Sequence, residues 1–520
     1  MNAPTAQRGS REETGIRSGD TLVSREELAQ RAARVASGFA AMGVKAGDTV
    51  ALLLRNELSF LVGLMAAARL GAYSVPVNWH LKSDEVAYLM QDCEAKVLVA
   101  HADLLAPVRD AIPADVKILV ATPPPEVRAA YGIAQDTWPL PPGTIDWDSW
   151  RAQQPEWTAP RVRFPDSMVY TSGTTGKPKG VRRGTPDAEQ AAGMDVLRRL
   201  LFGLTPDSRS LVTGPMYHSA PNNFCVQAAT YSELTVIMPR FDAEEMLQLV
   251  ERHRITTMFM VPTMFVRLLA LPKEVRERYD LSSLRFIVHS AAPCSPEVKK
   301  AMIAWWGPIL YEFYGASETG PISFTDSKDW LAHPGTVGRI VDGATVAVLD
   351  DEGRELPLGQ PGELYVKQVY TADFLYHKLP EKRAEVERNG LVSCGDVGYL
   401  DAENFLYLCD RKRDMVIAGG VNIYPAEIEA TLITCPGVKD CAVFGIPDPD
   451  LGESLMAVIE RAEGATLEAK DVIAFLKARI AGFKVPRQVT FADSLPREDS
   501  GKIFKRKLRE PYWADAGRAI

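Results

Sequence analysis

Short, mainly apolar runs recur along the first part of the chain, and each stops in a segment rich in Gly, Pro, Ser or Thr. Residues 168–170, 210–213, 256–261, 285–288 and 309–313 are of strand length, and each predicts a buried strand. Helical patterns lie between them. Asp242 stands three before Glu245, like a capping box, ahead of Met246, Leu247, Leu249 and Val250, and Ser295-Pro296-Glu297 predicts the cap and acidic first turn of a helix running to Trp306. Strands alternating with helices predict an α/β sheet, a fold class that binds ligands beyond the carboxyl ends of its strands.

The pattern changes after about residue 343. Runs at 345–349 and 363–367, separated by Asp, Gly and Pro turns, predict a β-rich subdomain. A further unit, starting near Arg411, reads as helix 426–433, strand 440–444, strand 455–459, helix 468–480 and strand 488–491.

Composition narrows the function classes. A chain of 520 residues is too long for one core and predicts two to four units by ordinary domain sizes. With 46% hydrophobic and 24% charged residues it reads as an ordinary globular protein. The net charge of −8 argues against bulk nucleic-acid or anionic-membrane binding, although 477–509 is locally basic. Seven cysteines, at 93, 225, 294, 394, 409, 435 and 441, form no CxxC pair and predict reduced thiols rather than a metal cage. Residues 1–19 lack the apolar core of a secretory signal, and the longest apolar stretch, 60–72, contains Arg69 and is too short to cross a bilayer. A cytoplasmic protein without stable membrane insertion is expected, its oligomeric state open, a homodimer included.

The densest chemistry follows the first of the strands above. Thr171, Ser172, Gly173, Thr174, Thr175, Gly176, Lys177, Pro178, Lys179 and Gly180 combine four hydroxyls, three glycines and two lysines. Glycines let successive N–H groups turn into one concavity, so the segment suits polyphosphate. A nucleotide P-loop fails on spacing, because Gly173 is followed too soon by Gly176-Lys177 and no hydroxyl follows that lysine. The segment Tyr314-Gly315-Ala316-Ser317-Glu318-Thr319-Gly320 places an aromatic for stacking, a hydroxyl for phosphate and a carboxylate for magnesium at a strand end. It misses the hydrolase nucleophile elbow by having Thr319 where glycine is required. Asp396, in a glycine-flanked turn, suits a ribose diol as well as it suits an ordinary turn. Lys502 follows a flexible Ser-Gly pair and can reach away from its domain, or can be plain basic surface.

Together these segments resemble the adenylate-forming superfamily of acyl- and aryl-CoA synthetases, firefly-type luciferases and peptide-synthetase adenylation domains. The resemblance runs from Gly47-Asp48-Thr49-Val50-Ala51 to the Lys502 segment. It implies a large N-terminal domain (1–412) of packed αβ layers with the β-rich subdomain, and a small mobile α+β C-terminal domain (413–520). By that resemblance 171–179 would embrace the β- and γ-phosphates, Ser290, Ala291, Ala292, Pro293 and Tyr314 would frame adenine, and Gly315 would adjoin it. Ser317 and Glu318 would serve phosphate and Mg2+, Asp396 and Arg411 the ribose, Lys502 catalysis, Arg413 the hinge, and Gly419 and Gly420 a tunnel for the pantetheine arm of coenzyme A.

The resemblance implies an ATP-dependent acyl-CoA synthetase using CoA as co-substrate, the alternatives being a luciferase-like oxygenase or another acceptor. An amino-acid-activating module is disfavoured, since an aspartate is expected after the aromatic Tyr217 and His218 stands there. Phe313 replaces a small glycine common in aryl and luciferin enzymes, which predicts a narrowed or redirected acyl pocket. The pocket residues expected are His218, Asn222, Phe224, Met264, His289, Phe313 and Ala316, a mixed apolar wall for a monocarboxylic fatty, branched, alicyclic or aromatic acid.

Overall fold

Strands that are apolar at almost every position are covered on both faces, as parallel sheets require. Thr49–Leu53 and Val97–His101 are buried at every residue and lie at the centre of a five-stranded parallel sheet. Its order is Tyr73–Pro76, Thr49–Leu53, Val97–His101, Lys117–Ala121 and Ile145–Asp146. The structure, a computed structural model, describes residues 13–134, 138–160, 166–171, 178–418, 421–497 and 503–514.

Four of the strands expected from the apolar runs stand in a second, 14-stranded sheet. Leu234–Ile237, Arg209–Val212, Thr257–Met260, Phe286–His289 and Leu310–Ala316 are parallel neighbours in that order. The remaining expected strand, Val169–Thr171, belongs to a separate three-stranded sheet with Lys179–Arg183 and Phe374–Tyr376.

Past Leu310–Ala316 the large sheet turns antiparallel through Gly320–Thr325, Thr336–Ile340, Phe405–Arg411, Leu391–Leu400, Gly362–Gln368 and Ala344–Leu349. The β-rich region expected after residue 343 therefore starts at Gly320 and shares one hydrogen-bond ladder with the parallel strands. Close backbone contact makes the junction. At Gly338, φ +108°, an added Cβ would lie 2.1 Å from the Phe324 carbonyl oxygen, so only glycine lets the strands pass.

Helix starts follow their sequence signals, with one exception. Asp242 Oδ1 accepts the N–H groups of Glu244 and Glu245 at the head of Ala243–His253. Ser295 makes no side-chain cap for Pro296–Trp306; its hydroxyl bonds Glu297 Oε2 at 3.0 Å, and the proline at the first turn presets the backbone instead. The C-terminal unit pairs Gly452–Arg461 with Val438–Asp448 and, in parallel, with Gln488–Ala492, covered by helices Pro425–Leu432 and Ala469–Lys477. The second helix stops at Lys477, short of residue 480, because a short turn at Gly482–Lys484 leads into the last strand. All seven cysteines are free thiols, and among the described residues no helix is long and apolar enough to cross a membrane.

Candidate active site

The parallel strands of the large sheet end on one cavity of about 2730 Å³. Val212 leads to His218, Met260 to Pro262, His289 to Ser290 and Ala316 to Ser317, so the chemically rich segments all leave the same sheet edge.

The phosphate-type segment is placed by its stem. Thr171 and Lys179 face each other in register, and residues 172–177, with Ser172, Gly173, Thr174, Thr175, Gly176 and Lys177, lie outside the described residues. Thr171 Oγ1 donates to Glu318 Oε1 at 3.4 Å, and the Tyr376 hydroxyl donates to the same oxygen at 3.3 Å. Both bonds are long and hold the carboxylate only loosely. Lys179 is buried with its ammonium 4.9 Å from the Tyr376 ring centre, and burial, then Lys382, pushes its pKa down against the pull of Glu385 and Glu318.

Arg183, which sequence reasoning missed, supports Ser317 from below. Its guanidinium donates to the carbonyls of Ser317 at 2.6 Å and Ala372 at 2.8 Å. Burial lowers its pKa, offset by Asp166 and Glu318. The available signal was the Lys179-Gly-Val-Arg-Arg183 alternation, which puts Lys179, Val181 and Arg183 on one face of a strand. Ser317, Glu318 and Thr319 form a turn into an antiparallel strand, closed where Ala316 N–H meets Thr319 Oγ1 at 3.3 Å. A nucleophile elbow needs a strand-to-helix turn, so Ser317 is not placed for attack. Gly315 is packed so tightly that a Cβ would meet the Gly320 carbonyl at 2.3 Å.

Tyr314, Asp396 and Arg411 come together from three strands. The Tyr314 hydroxyl donates to Asp396 Oδ2 at 2.7 Å, and Arg411 Nε is 2.6 Å from Asp396 Oδ1. Asp396 and Arg411 are in-register neighbours on Leu391–Leu400 and Phe405–Arg411, which explains how residues so far apart in sequence meet. Burial and then Asp396 push the Tyr314 phenol well above its ordinary pKa, so it stays a neutral donor. Ser290, Ala291, Ala292 and Pro293 line the cavity nearby.

Ala291 holds φ +73°, a left-handed conformation that costs any residue with a Cβ. Ala291→Gly is expected to shift stability by less than about 1 kcal/mol, since relief of strain is offset by the greater unfolded freedom of glycine. Ala291→Val, branched at a strained position, is expected to cost about 1–3 kcal/mol. Thermal unfolding checks both, and a valine variant as stable as wild type would rule out strain at Ala291.

His218, Asn222, Phe313 and Ala316 line the cavity. His218 stands at the head of helix Ser219–Tyr231 with its ring 4.4 Å from that of Tyr217, and Asn222 Nδ2 donates to the Met216 carbonyl at 2.8 Å. The cavity wall does not include Phe224, Met264 or His289, which correct the expected pocket by one layer: all three are buried behind it. Phe224 packs there against Phe202 and Phe259, whose rings also lie about 6 Å from that of Phe313, while the His289 ring stands 5.3 Å from that of Phe265. Three basic side chains along the wall are engaged, Arg25 with the Ala229 carbonyl, Arg69 with that of Ala29 and Arg198 with both oxygens of Asp166; Arg267 also lines it.

Lys412 Nζ pairs with Asp351 and Glu363, both at 2.9 Å, within the antiparallel region. The Arg413 carbonyl instead accepts from Arg509 of the C-terminal helix Lys505–Trp513. Gly419 and Gly420, and Lys502, lie outside the described residues; the strands Val416–Ala418 and Val421–Ile423 flank the glycines, and Ile503 bridges to Arg497 just after Lys502.

Among the described residues no group of three or more His, Cys, Asp or Glu could cage a metal. Glu318 with the Thr171 hydroxyl is a hard oxygen donor set of one carboxylate, which fits Mg2+ held mainly by substrate phosphates.

The family model of the AMP-binding enzymes matches residues 5–375, and that of the AMP-binding enzyme C-terminal domain matches 427–502. A feruloyl-CoA synthase from Amycolatopsis sp is 33% identical over 504 residues, 96% of this chain and 96% of its own length. An indoleacetate–CoA ligase of Aromatoleum aromaticum is 33% identical over 505 residues, 96% of this chain and 94% of its own. Among solved structures, ATP-bound MatB from Rhodopseudomonas palustris superposes with a TM-score of 0.82 at 29% identity, covering 97% of each chain.

Proposed function

The chain belongs to the AMP-binding enzyme family as an AMP-forming acid–thiol ligase, and from that premise we propose that it activates a monocarboxylic acid with an apolar body and passes the acyl group to CoA. The observation that carries this reading is the convergence of Thr171 and Glu318 with Tyr314, Asp396 and Arg411 on one cavity wall. A monocarboxylic acid is favoured because three of the arginines on the wall, Arg25, Arg69 and Arg198, are already engaged with protein oxygens and Arg267 stands apart from them on the helix Pro262–Leu269. Phe313 and its aromatic cluster favour an acid with an aryl, alicyclic or alkyl body, in keeping with relatives named for feruloyl and indoleacetate groups.

A carboxylate is a poor acyl donor because its leaving group would be oxide. In the first step a carboxylate oxygen attacks the α-phosphorus of ATP, the bond to the bridging oxygen breaks, and pyrophosphate leaves. Residues 171–179 hold the leaving phosphates. Tyr314 packs against adenine between it and Ser290–Pro293, while Asp396, fixed by Arg411 and Tyr314, accepts from the ribose hydroxyls. Glu318 would hold Mg2+ and Ser317 would donate to phosphate, and the ion would offset charge as two anions approach. Lys502 meets the carboxylate and α-phosphate, giving charge stabilisation that grows toward the transition state. In the second step the C-terminal unit turns about Arg413, bringing Gly419 and Gly420 beside the pantetheine arm. The CoA sulfur then attacks the acyl carbon, AMP leaves, and the thiol proton goes to solvent.

The test is pyrophosphate release across a panel of aryl, alicyclic, branched and fatty acids with ATP and Mg2+, followed by thioester analysis after CoA is added. Acid-dependent release and CoA-dependent thioester are expected. Silence across the whole panel would sink the reading, and oxygen uptake in place of thioester would turn it into an oxygenase.

A further inference from the structure

Ionisable side chains that play no part in the chemistry above are buried together beneath 290–293. Lys299, fully buried on Pro296–Trp306, donates from Nζ to Glu312 Oε2 at 2.6 Å. Glu312 stands two residues before Tyr314 on the same strand, so the pleat puts both on one face. His289 is the in-register neighbour of Glu312, and its Nε2 lies 3.6 Å from the same carboxylate oxygen. Trp330 closes the cluster, its ring centre 4.8 Å from Lys299 Nζ. Burial pushes His289 well down and Glu312 up, and Lys299 opposes the shift of Glu312.

A buried ion pair is weak evidence for stability, because apolar residues of like volume often serve as well. Connectivity supplies another reason for this one. His289 immediately precedes Ser290, the Lys299 helix begins just after Pro293, and Glu312 lies beside Tyr314. The pair thus fastens together the elements that carry the two sides of the Ser290–Pro293 and Tyr314 slot.

We propose that Lys299 and Glu312 are positioning residues, a buried clasp that holds Ser290–Pro293 at a fixed distance from Tyr314 so that the slot is formed before the nucleotide arrives. The clasp acts through the backbone of the two elements it joins, with Glu312 at the cavity wall and Lys299 and His289 behind it. It rests on the reading of this slot as the adenine site. Preorganisation of this kind raises affinity by removing the cost of ordering the site on binding.

Two double variants test it, with AMP affinity measured by calorimetry on the full chain. In Lys299→Met/Glu312→Leu both charges are gone and volume is roughly kept, so thermal unfolding should stay within a few degrees of wild type. AMP should bind at least about tenfold more weakly, while the KM for the acid moves less than about twofold. Lys299→Gln/Glu312→Gln keeps a hydrogen bond without charge and should recover AMP affinity to within about threefold of wild type. Wild-type AMP affinity in a folded apolar variant overturns the proposal, as does equal loss in both double variants. Should the apolar variant fail to fold, the glutamine pair is compared with Glu312→Gln alone, where equal AMP affinity is the overturning result. Ala292→Trp separates the underlying reading: if filling the slot leaves AMP binding intact, the slot is not the adenine site, whatever the clasp variants do.

Discussion

Lys502→Ala is expected to slow acyl-adenylate formation by about 10²- to 10³-fold, the loss typical of removing one preorganised donor from developing negative charge. Thioester formation from preformed acyl-adenylate should stay near the wild-type rate, because in the proposed mechanism that step begins after the lysine has withdrawn. Residues 496–509 hold three lysines, and their surroundings separate them. Lys505 is committed elsewhere: its ammonium pairs with Glu429 at 2.8 Å, and although burial alone would lower its pKa, Glu429 and Asp410 raise it. Lys507 lies 4.8 Å from the centre of the Phe504 ring. The neck of the segment is pinned on both sides of Lys502, by the bridge between Arg497 and Ile503 and by the Phe504 N–H bonded to the Pro496 carbonyl at 2.8 Å. A lysine one residue from an anchored neck reaches a reacting centre with less ordering cost than one on a free tail. Lys505→Ala is the control: breaking a buried pair should lower the unfolding temperature well before it changes adenylation. Pyrophosphate exchange gives the first rate, and synthetic acyl-adenylate with CoA gives the second. Wild-type exchange in Lys502→Ala would remove the lysine from the mechanism.

The elements legible in the sequence were those whose signal is local. Apolar runs ending in Gly, Pro or Ser marked Thr257–Met260 and Phe286–His289 because a parallel strand covered on both faces is apolar by necessity. Asp242 was legible because a cap acts within three residues. The sheet order was not. Gly320–Thr325 pairs with its sequence neighbours Leu310–Ala316 and Thr336–Ile340, but the next step of the ladder joins Thr336–Ile340 to Phe405–Arg411, a pairing no local signal announces. The same divide runs through the site. The residues of each motif were readable, but Arg183 under Ser317 and Lys299 under Glu312 were not, because a buried charge is recognised only by the partner it meets. Phe224, Met264 and His289 are expected on the wall from the sequence, whereas the structure buries all three behind it. Periodicity places a side chain on a face of its element and leaves open which layer that face meets.

Glu318→Gln is expected to lower adenylation by about 10²-fold or more and to raise the Mg2+ concentration giving half-maximal rate, while AMP binding without the ion changes little. The substitution keeps size and hydrogen bonding, so what it removes is charge. Thr171 Oγ1 and the Tyr376 hydroxyl both donate to Oε1, and either can donate equally to the glutamine carbonyl oxygen; the local structure should survive. Those bonds are 3.4 and 3.3 Å long and not ideal, so they leave the carboxylate free to turn toward a cation when the phosphates arrive. Arg183 holds the backbone of this turn through Ser317, so loss of charge at Glu318 should not release the turn itself. Unfolding temperature should therefore match wild type, and calorimetry with AMP should give an affinity within about threefold. Two measurements then divide the readings. If Mg2+ dependence is unchanged and only the maximal rate falls, Glu318 acts on the phosphates or the turn and not on the ion. If both rate and Mg2+ dependence stay at wild type, the carboxylate has no part in the first step, and the long contacts to Thr171 and Tyr376 are no more than a tie between the two strands they join.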